Sequence, residues 1–172
     1  AALVELASPT AARPANLPSA DPLPGPALAV GWGDTFDPDR LPRTLQQSAV
    51  PLLEDDRCSL IHGDGFSPSS MVCAGDLQHG GAGACSGDRG APLFVESPNG
   101  PTLAGIAGWG VGCALPGLPA IYTRVAAVAP WVQSVTGHGP FTCEGHATTH
   151  LGTNGPDIIM GTPEGDVIVA LG

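Results

Sequence analysis

Residues 85–93 read Cys85-Ser86-Gly87-Asp88-Arg89-Gly90-Ala91-Pro92-Leu93, and this stretch decides how the rest of the chain is interpreted. Glycine on both sides of Asp88-Arg89 is typical of a tight turn, and Pro92 opens an apolar run that predicts a strand. Four further segments stand in order around it: Gly31-Trp32-Gly33, Met71-Val72-Cys73-Ala74-Gly75, Gly108-Trp109-Gly110-Val111-Gly112-Cys113 and Ile121-Tyr122-Thr123-Arg124-Val125.

The composition of the chain favours an all-β fold. It has 172 residues with 42% hydrophobic content, which suits one domain and a short appendage. Glycine (25) and proline (19) are abundant, which predicts short strands joined by turns. Five short apolar or alternating runs fit an antiparallel barrel or sandwich: 27–32, 44–53, 92–96, 103–111 and 120–125.

Three segments flank or close this region. Residues 1–7 are interpreted as the end of a strand, and the six prolines between Pro9 and Pro26 predict an extended linker. Near the end, apolar residues at helical spacing predict one helix with a buried face formed by Val128, Trp131, Val132 and Val135. Pro130 is expected in its first turn, and Gly137 is expected to end it.

Taken in order, the five quoted segments resemble the C-terminal half of trypsin-like serine peptidases, whose nucleophile loop reads Cys-x-Gly-Asp-Ser-Gly-Gly-Pro. The resemblance covers residues 1–137. It implies the second six-stranded antiparallel barrel of a chymotrypsin-like fold, followed by one C-terminal helix. It also implies a secreted serine endopeptidase that acts on peptide or protein substrates. Arg89 and Ala91 depart from the family pattern.

Arg89 stands where the resemblance places the nucleophile. A serine hydroxyl can give its proton to a histidine and attack a carbonyl, whereas a guanidinium only donates hydrogen bonds and stays protonated. The resemblance also places the catalytic aspartate and histidine before Ala1, and the five histidines of this chain are expected on the surface or in loops. We therefore expect an inactive chain, or alternatively a non-catalytic homologue that binds peptides.

The remaining site residues are also implied by the resemblance. The N–H of Gly87 belongs to the oxyanion hole, and Asp88 receives the new N-terminal ammonium after zymogen cleavage, although an ordinary turn residue is the alternative. The base of the specificity pocket is Gly83, and its walls are Gly108, Trp109, Gly110 and Ala120. No carboxylate stands at the base, so an apolar side chain is the expected occupant, unless these are merely strand and turn glycines.

The cysteines and the charge limit the partners and the compartment. By resemblance Cys58 pairs with Cys73 and Cys85 with Cys113, which leaves Cys143 without a partner in this chain. Disulfides indicate an oxidising compartment, hence secretion. Sixteen acidic residues against six arginines give a net charge of -10, which disfavours nucleic acid as a partner. No apolar run approaches the ~20 residues of a membrane span.

Residues 138–172 form a separate tail. Two nine-residue units begin at Gly152 and Gly161 and resemble the calcium-binding (RTX-like) repeats of secreted bacterial proteins. Asp157 and Asp166 occupy the matching ligand positions, so one expectation is a short β-roll-like tail that binds Ca²⁺ and has a calcium-dependent structural or secretion role. The other expectation is a frayed tail without metal. No cofactor is expected for the peptidase part.

Overall fold

The structure is a computed structural model that describes residues 2–8, 10–12, 14–35, 41–98 and 100–136, and four short strands beyond them. Its main elements are β1 (Gly25–Gly31), β2 (Gln46–Leu52), α1 (Asp55–His62), β3 (Met71–Ala74), β4 (Pro92–Val95), β5 (Thr102–Trp109), β6 (Ala120–Arg124) and α2 (Val125–Thr136). A short 3-10 turn, Gly63–Gly65, follows α1.

Six antiparallel strands close into a barrel in the order β1-β2-β3-β6-β5-β4. The barrel closes where β4 pairs back with β1, with Ala27 opposite Val95 and Ala29 opposite Leu93. This confirms the predicted six-stranded barrel and the helix that follows it. The five predicted strands agree with β1, β2, β4, β5 and β6 to within two residues at each end.

Alanine, valine and leucine side chains and one tyrosine fill the barrel. The core cluster consists of Ala27, Ala29, Val50, Leu52, Val72, Ala74, Leu93, Ala107 and Tyr122. The buried residues of β1 and β2 alternate along each strand, as expected where one face of a strand points inward. Tyr122 is 1% exposed, and a side chain at Gly105 would collide with it, so glycine there lets β5 approach β6 closely.

A second cluster lies under α1 and joins it to β3. The disulfide Cys58–Cys73 is formed as the resemblance implied, and both cysteines are fully buried with Phe66 and Ile121. The sequence analysis missed α1 because its apolar residues follow no helical stripe, and Leu60 remains 77% exposed. Its N-terminus is instead favoured by Asp55 and Asp56, whose charges oppose the helix dipole.

Residues 2–8 contain no strand, so the predicted N-terminal strand was wrong. Leu3, Val4 and Leu6 are exposed. The physical reason is that a closed barrel has no free edge, and every strand already has two neighbours. The described part of the proline-rich segment before Gly25 contains no helix and no strand beyond an isolated bridge between Asn16 and Thr102. It is anchored to β5, because Asn16 N–H donates to Pro101 O and Leu103 N–H donates to Asn16 O.

Helix α2 differs from its prediction in start and in register. It begins at Val125, directly after β6, so Pro130 lies inside the helix rather than in its first turn. Val125 and Ala129 are its buried residues, whereas Trp131 and Val135 of the predicted face are exposed. Burial of Val125 at the end of a core strand sets the register, which the spacing of the later apolar residues did not show.

Contacts within the chain define two compact units, Ala1–Ala129 and Pro130–Gly172. In the second unit β7 (Thr142–Cys143) pairs antiparallel with β8 (His146–Ala147), and β9 (His150–Leu151) pairs parallel with β10 (Ile168–Val169). The parallel register is offset by 18 residues, or two nine-residue periods. The β-roll and the domain boundary at residue 137 stay predictions. In the described part of the chain, no helix has the length and apolarity needed to cross a membrane.

Arg124, at the end of β6, connects three parts of the barrel unit. Arg124 is 6% exposed, and its guanidinium donates to both carboxylate oxygens of Asp55, at 2.6 and 2.7 Å, and to Met71 O at 3.0 Å. Asp21 of the proline-rich segment completes the cluster at 2.9 Å. A buried cation needs such partners, because an unpaired charge in the interior is costly.

We expect Asp55→Ala to lower the free energy of unfolding by about 1 to 2 kcal/mol, because it leaves Arg124 with fewer partners. Asp56→Ala is the matched control. It removes a carboxylate from the same helical turn but contacts no buried cation, so its effect should stay within about 0.5 kcal/mol. Urea unfolding measures both, and equal effects of the two substitutions would contradict this role of Asp55.

Candidate functional site

The segment around Arg89 folds into a turn that its own backbone stabilises. Asp88 N–H donates to Cys85 O at 3.0 Å, and Ala91 N–H donates to Asp88 O at 2.8 Å. Gly90 N–H donates to Ala107 O at 2.8 Å, which fastens the turn to β5. Gly87 has φ of +96°, a conformation that glycine adopts without strain.

The Asp88 side chain points inward and binds two backbone donors. Gly33 N–H lies 2.6 Å from one carboxylate oxygen and Cys85 N–H lies 3.0 Å from the other. A Cβ atom at Gly31 or Gly33 would overlap this carboxylate, so Gly31-Trp32-Gly33 provides the space it needs. The sequence analysis quoted these glycines but did not connect them to Asp88. Asp88 is thus more than an ordinary turn residue, and a role in receiving an ammonium stays a prediction.

The second disulfide, Cys85–Cys113, is also formed as the resemblance implied. It joins the start of the Arg89 turn to the loop after β5 across 28 residues of sequence. The two walls of the site are therefore covalently linked. A crosslink of this kind typically contributes about 3 kcal/mol to stability.

A cleft of about 160 Å³ lies beside the turn. The predicted site residues that line it are Asp88, Arg89, Gly108, Trp109, Gly110 and Ala120. The structure thus brings the predicted walls together with Arg89. Gly83, the predicted base, does not line this cleft. It lines a larger cavity of about 510 Å³, while Ala84 and Cys85 line both spaces.

Arg89 itself is exposed and forms no ion pair with any residue that the structure describes. The N–H groups of Gly87 and Arg89 likewise have no acceptor among the described residues, whereas those of Asp88 and Gly90 are used. Toward the described residues, the turn therefore leaves two backbone donors and one cation without a partner. These groups can bind an anion, but none of them can act as a nucleophile.

No histidine lines the cleft among the described residues. His62 is half-buried in α1, where it packs edge-on against Trp109 and lies 3.1 Å from Pro119 O, so the expectation that all five histidines are surface or loop residues was wrong for it. His79 is exposed and contacts Asp76. The N–H groups of His79 and Gln78 hold the pKa of Asp76 below its usual value.

Two of the residues that line the larger cavity have buried polar atoms without a hydrogen-bond partner among the described residues. Asp34 Oδ1 and the Tyr122 hydroxyl are buried and make no hydrogen bond of normal geometry to a described residue. Burial raises the pKa of Tyr122 to about 12. The Ala84 backbone lies close enough to oppose that rise, and the charge of Asp88 adds to it. The phenol therefore stays neutral over the physiological range.

Three predicted features lie outside the described side chains. Asp157 and Asp166 fall outside the described residues, and of Cys143 only the backbone is described. Calcium binding by the tail and the state of Cys143 therefore stay predictions.

Comparison with known proteins gives consistent matches. A sequence model of the family described as Trypsin matches residues 1–132. Serine protease 56 of Mus musculus is 41% identical over 154 residues, which cover 83% of this chain and 25% of that protein. Trypsin-1 of Astacus astacus is 39% identical over 110 residues (64% of this chain, 46% of that protein), and a trypsin of Saccharopolyspora erythraea is 41% identical over 101 residues (59% and 42%). The chain spans less than half the length of these curated relatives.

Alkaline titration should reveal the buried phenol. Because the folded pKa of Tyr122 is raised to about 12 from 10.0, its contribution to stability is complete below pH 10 and is lost as the pH rises toward 12. The loss should be about 2 to 3 kcal/mol in total. Tyr122 is the single tyrosine and the chain has no lysine, so phenolate absorbance reports this group alone. Urea unfolding between pH 9 and pH 12 should show the loss in the wild type but not in Tyr122→Phe, and the same loss in both would contradict it.

Gly33→Ala should displace the Asp88 carboxylate and remove its shortest hydrogen bond. We expect a loss of about 1 to 3 kcal/mol in the free energy of unfolding. Gly110→Ala is the control, because a Cβ atom there meets its nearest neighbours at 3.6 Å, an ordinary contact. Denaturant unfolding compares the two. A Gly33→Ala protein as stable as Gly110→Ala would show that Asp88 does not depend on this space.

Proposed function

Because this chain belongs to the trypsin family, we propose that it is part of a secreted homologue of the serine endopeptidases that does not cleave peptides in this form. One observation carries the proposal: Arg89 occupies the turn between Gly87 and Gly90 at the mouth of the cleft. A guanidinium has no lone pair to attack a carbonyl at any useful pH. Loss of the nucleophile in this type of enzyme removes several powers of ten in rate.

Ser86 is the residue to weigh as a substitute nucleophile, because it is exposed and also lines the cleft. An active serine needs a base within hydrogen-bond reach, at about 2.6 to 3.2 Å. The Ser86 hydroxyl has no hydrogen bond to any described residue, and no described imidazole lines the cleft. Ser86 therefore has no activating partner among the residues that the structure describes.

Secretion is supported by the two disulfides of the barrel unit, since such bonds persist in oxidising compartments. The expected partner is a peptide or protein. The second candidate function is a binding module that holds peptides without cutting them. The cleft favours it, because the walls at Gly108, Gly110 and Ala120 remain open although the nucleophile is replaced.

A fluorophosphonate probe tests the absence of cleavage, because it labels only activated serines. We expect no labelling of the wild type above that of the heat-denatured protein, with an active trypsin as the positive control. Arg89→Ser should also remain unlabelled, since a hydroxyl at position 89 gains no imidazole from the described cleft residues. Stoichiometric labelling of the wild type would overturn the proposal, and its loss in Ser86→Ala would identify the residue responsible.

A further inference from the structure

We propose that the Arg89 turn and the adjacent cleft form a binding site for peptides that end in a free carboxylate on an apolar residue. The inference rests on the proposed function, because it assumes that peptides enter this site and are not cleaved. It assigns a positive role to Arg89 beyond the loss of a nucleophile: the side chain recognises an anion.

The backbone of the turn supplies the first two donors. Asp88 and Gly90 direct their N–H groups to Cys85 O and Ala107 O, but those of Gly87 and Arg89 have no acceptor among the described residues. Both unused groups belong to exposed residues. A ligand that bound either group would exchange water for a fixed donor, which favours a charged acceptor over a neutral one.

The guanidinium supplies the charge. Arg89 is exposed and has no ion-pair partner in the described part of the chain, so its planar set of donors is available to a carboxylate, which it can bind through two parallel hydrogen bonds. The opposing charge is Asp88, the one carboxylate among the described lining residues of the cleft. Both of its oxygens already accept backbone N–H groups, which disperses its charge.

The net charge of -10 also repels anions, but salt weakens this long-range repulsion. At physiological ionic strength, charges separated by more than about 8 Å are largely screened. Arg89 and the two N–H groups belong to the turn itself, so they act on an anion bound there more strongly than acidic residues beyond this distance. Asp34 lies next to the turn, because its N–H donates to Ser86 O, but it lines the larger cavity and not the cleft. The local arrangement, rather than the overall charge, decides which ligand binds.

The cleft determines the side chain that accompanies the carboxylate. Its volume of about 160 Å³ is close to the ~150 Å³ that holds a benzene-sized group in a protein interior. Glycine and alanine form much of its wall, with Trp109 beside them, and no described lysine or arginine other than Arg89 lines it. A leucine or phenylalanine side chain therefore fits it by size and can contact the apolar part of the wall.

The cleft and the turn are adjacent, which favours a terminal carboxylate over an internal peptide bond. A C-terminal residue carries its side chain and its carboxylate on one α-carbon, so both can engage at once. An internal peptide bond would bring a neutral group against Arg89 and remove water from the cation without replacing its charge, which is unfavourable. A carboxylate on an acidic side chain lies farther from an apolar neighbour and matches the arrangement less well.

Calorimetric titration with three peptides tests the proposal. They are acetyl-Gly-Gly-Phe with a free carboxylate, the same peptide amidated, and amidated acetyl-Gly-Phe-Asp, whose only carboxylate is on a side chain. The free acid should bind the wild type at least tenfold more tightly than either amide. Arg89→Gln should abolish that preference. Arg57→Gln, which removes an equal charge from exposed α1 surface, should leave it unchanged.

Filling the cleft provides a second, independent variant. Gly110→Leu places its Cβ atom where neighbours lie at 3.6 Å or more and should weaken binding of the free acid at least tenfold, with the fold checked by near-ultraviolet circular dichroism. Equal binding of acid and amide, no binding of the acid at millimolar concentration, or a preference that survives Arg89→Gln would overturn the inference. These outcomes leave the proposed absence of cleavage intact, whereas cleavage of the amidated peptides would overturn that proposal instead.

Discussion

The hydrogen bonds accepted by the Asp88 carboxylate organise the functional end of this barrel. One oxygen accepts from Gly33, just after β1, and the other accepts from Cys85 at the start of the turn. The Asp88 side chain thus connects its own turn to a segment 55 residues earlier in the chain. Gly31 and Gly33 exist in this arrangement to make room for it. These hydrogen bonds hold the Asp88 side chain inside the turn, whereas Arg89 is exposed and lines the cleft. The chemistry of the site therefore depends on the Arg89 guanidinium.

Disulfides and ion pairs stabilise the barrel unit in addition to its core, whose side chains are mostly small. Alanines make up a large share of the buried barrel cluster, and Tyr122, Leu52 and Leu93 are its largest side chains. Two disulfides and the Arg124 cluster fasten α1, the proline-rich segment and the Arg89 turn to this core. Covalent and ionic links thus hold the segments that surround the barrel, where little apolar surface is buried.

The sequence predicted what local patterns encode and missed what depends on distant partners. Short alternating runs located five barrel strands, because alternation records burial directly. Residues 2–8 also have a strand-like pattern, yet no strand forms, since a closed barrel offers no edge to pair with. Helix α1 was not predicted, because it is held by a disulfide to Cys73 and by hydrogen bonds from Arg124, and both residues are distant in sequence. The cleft walls were foreseen by resemblance, but Gly83 lies on the neighbouring cavity.

Closure of the barrel also limits how this unit can associate with other molecules. Each of its six strands has a hydrogen-bonded neighbour on both sides, so none is a free edge strand onto which a foreign strand could add. Fibril growth by edge-to-edge addition is therefore blocked while the barrel is folded. Contacts between folded copies must instead use side chains. The exposed apolar side chains, such as Trp32, Leu41 and Leu45, are the places where such association would begin.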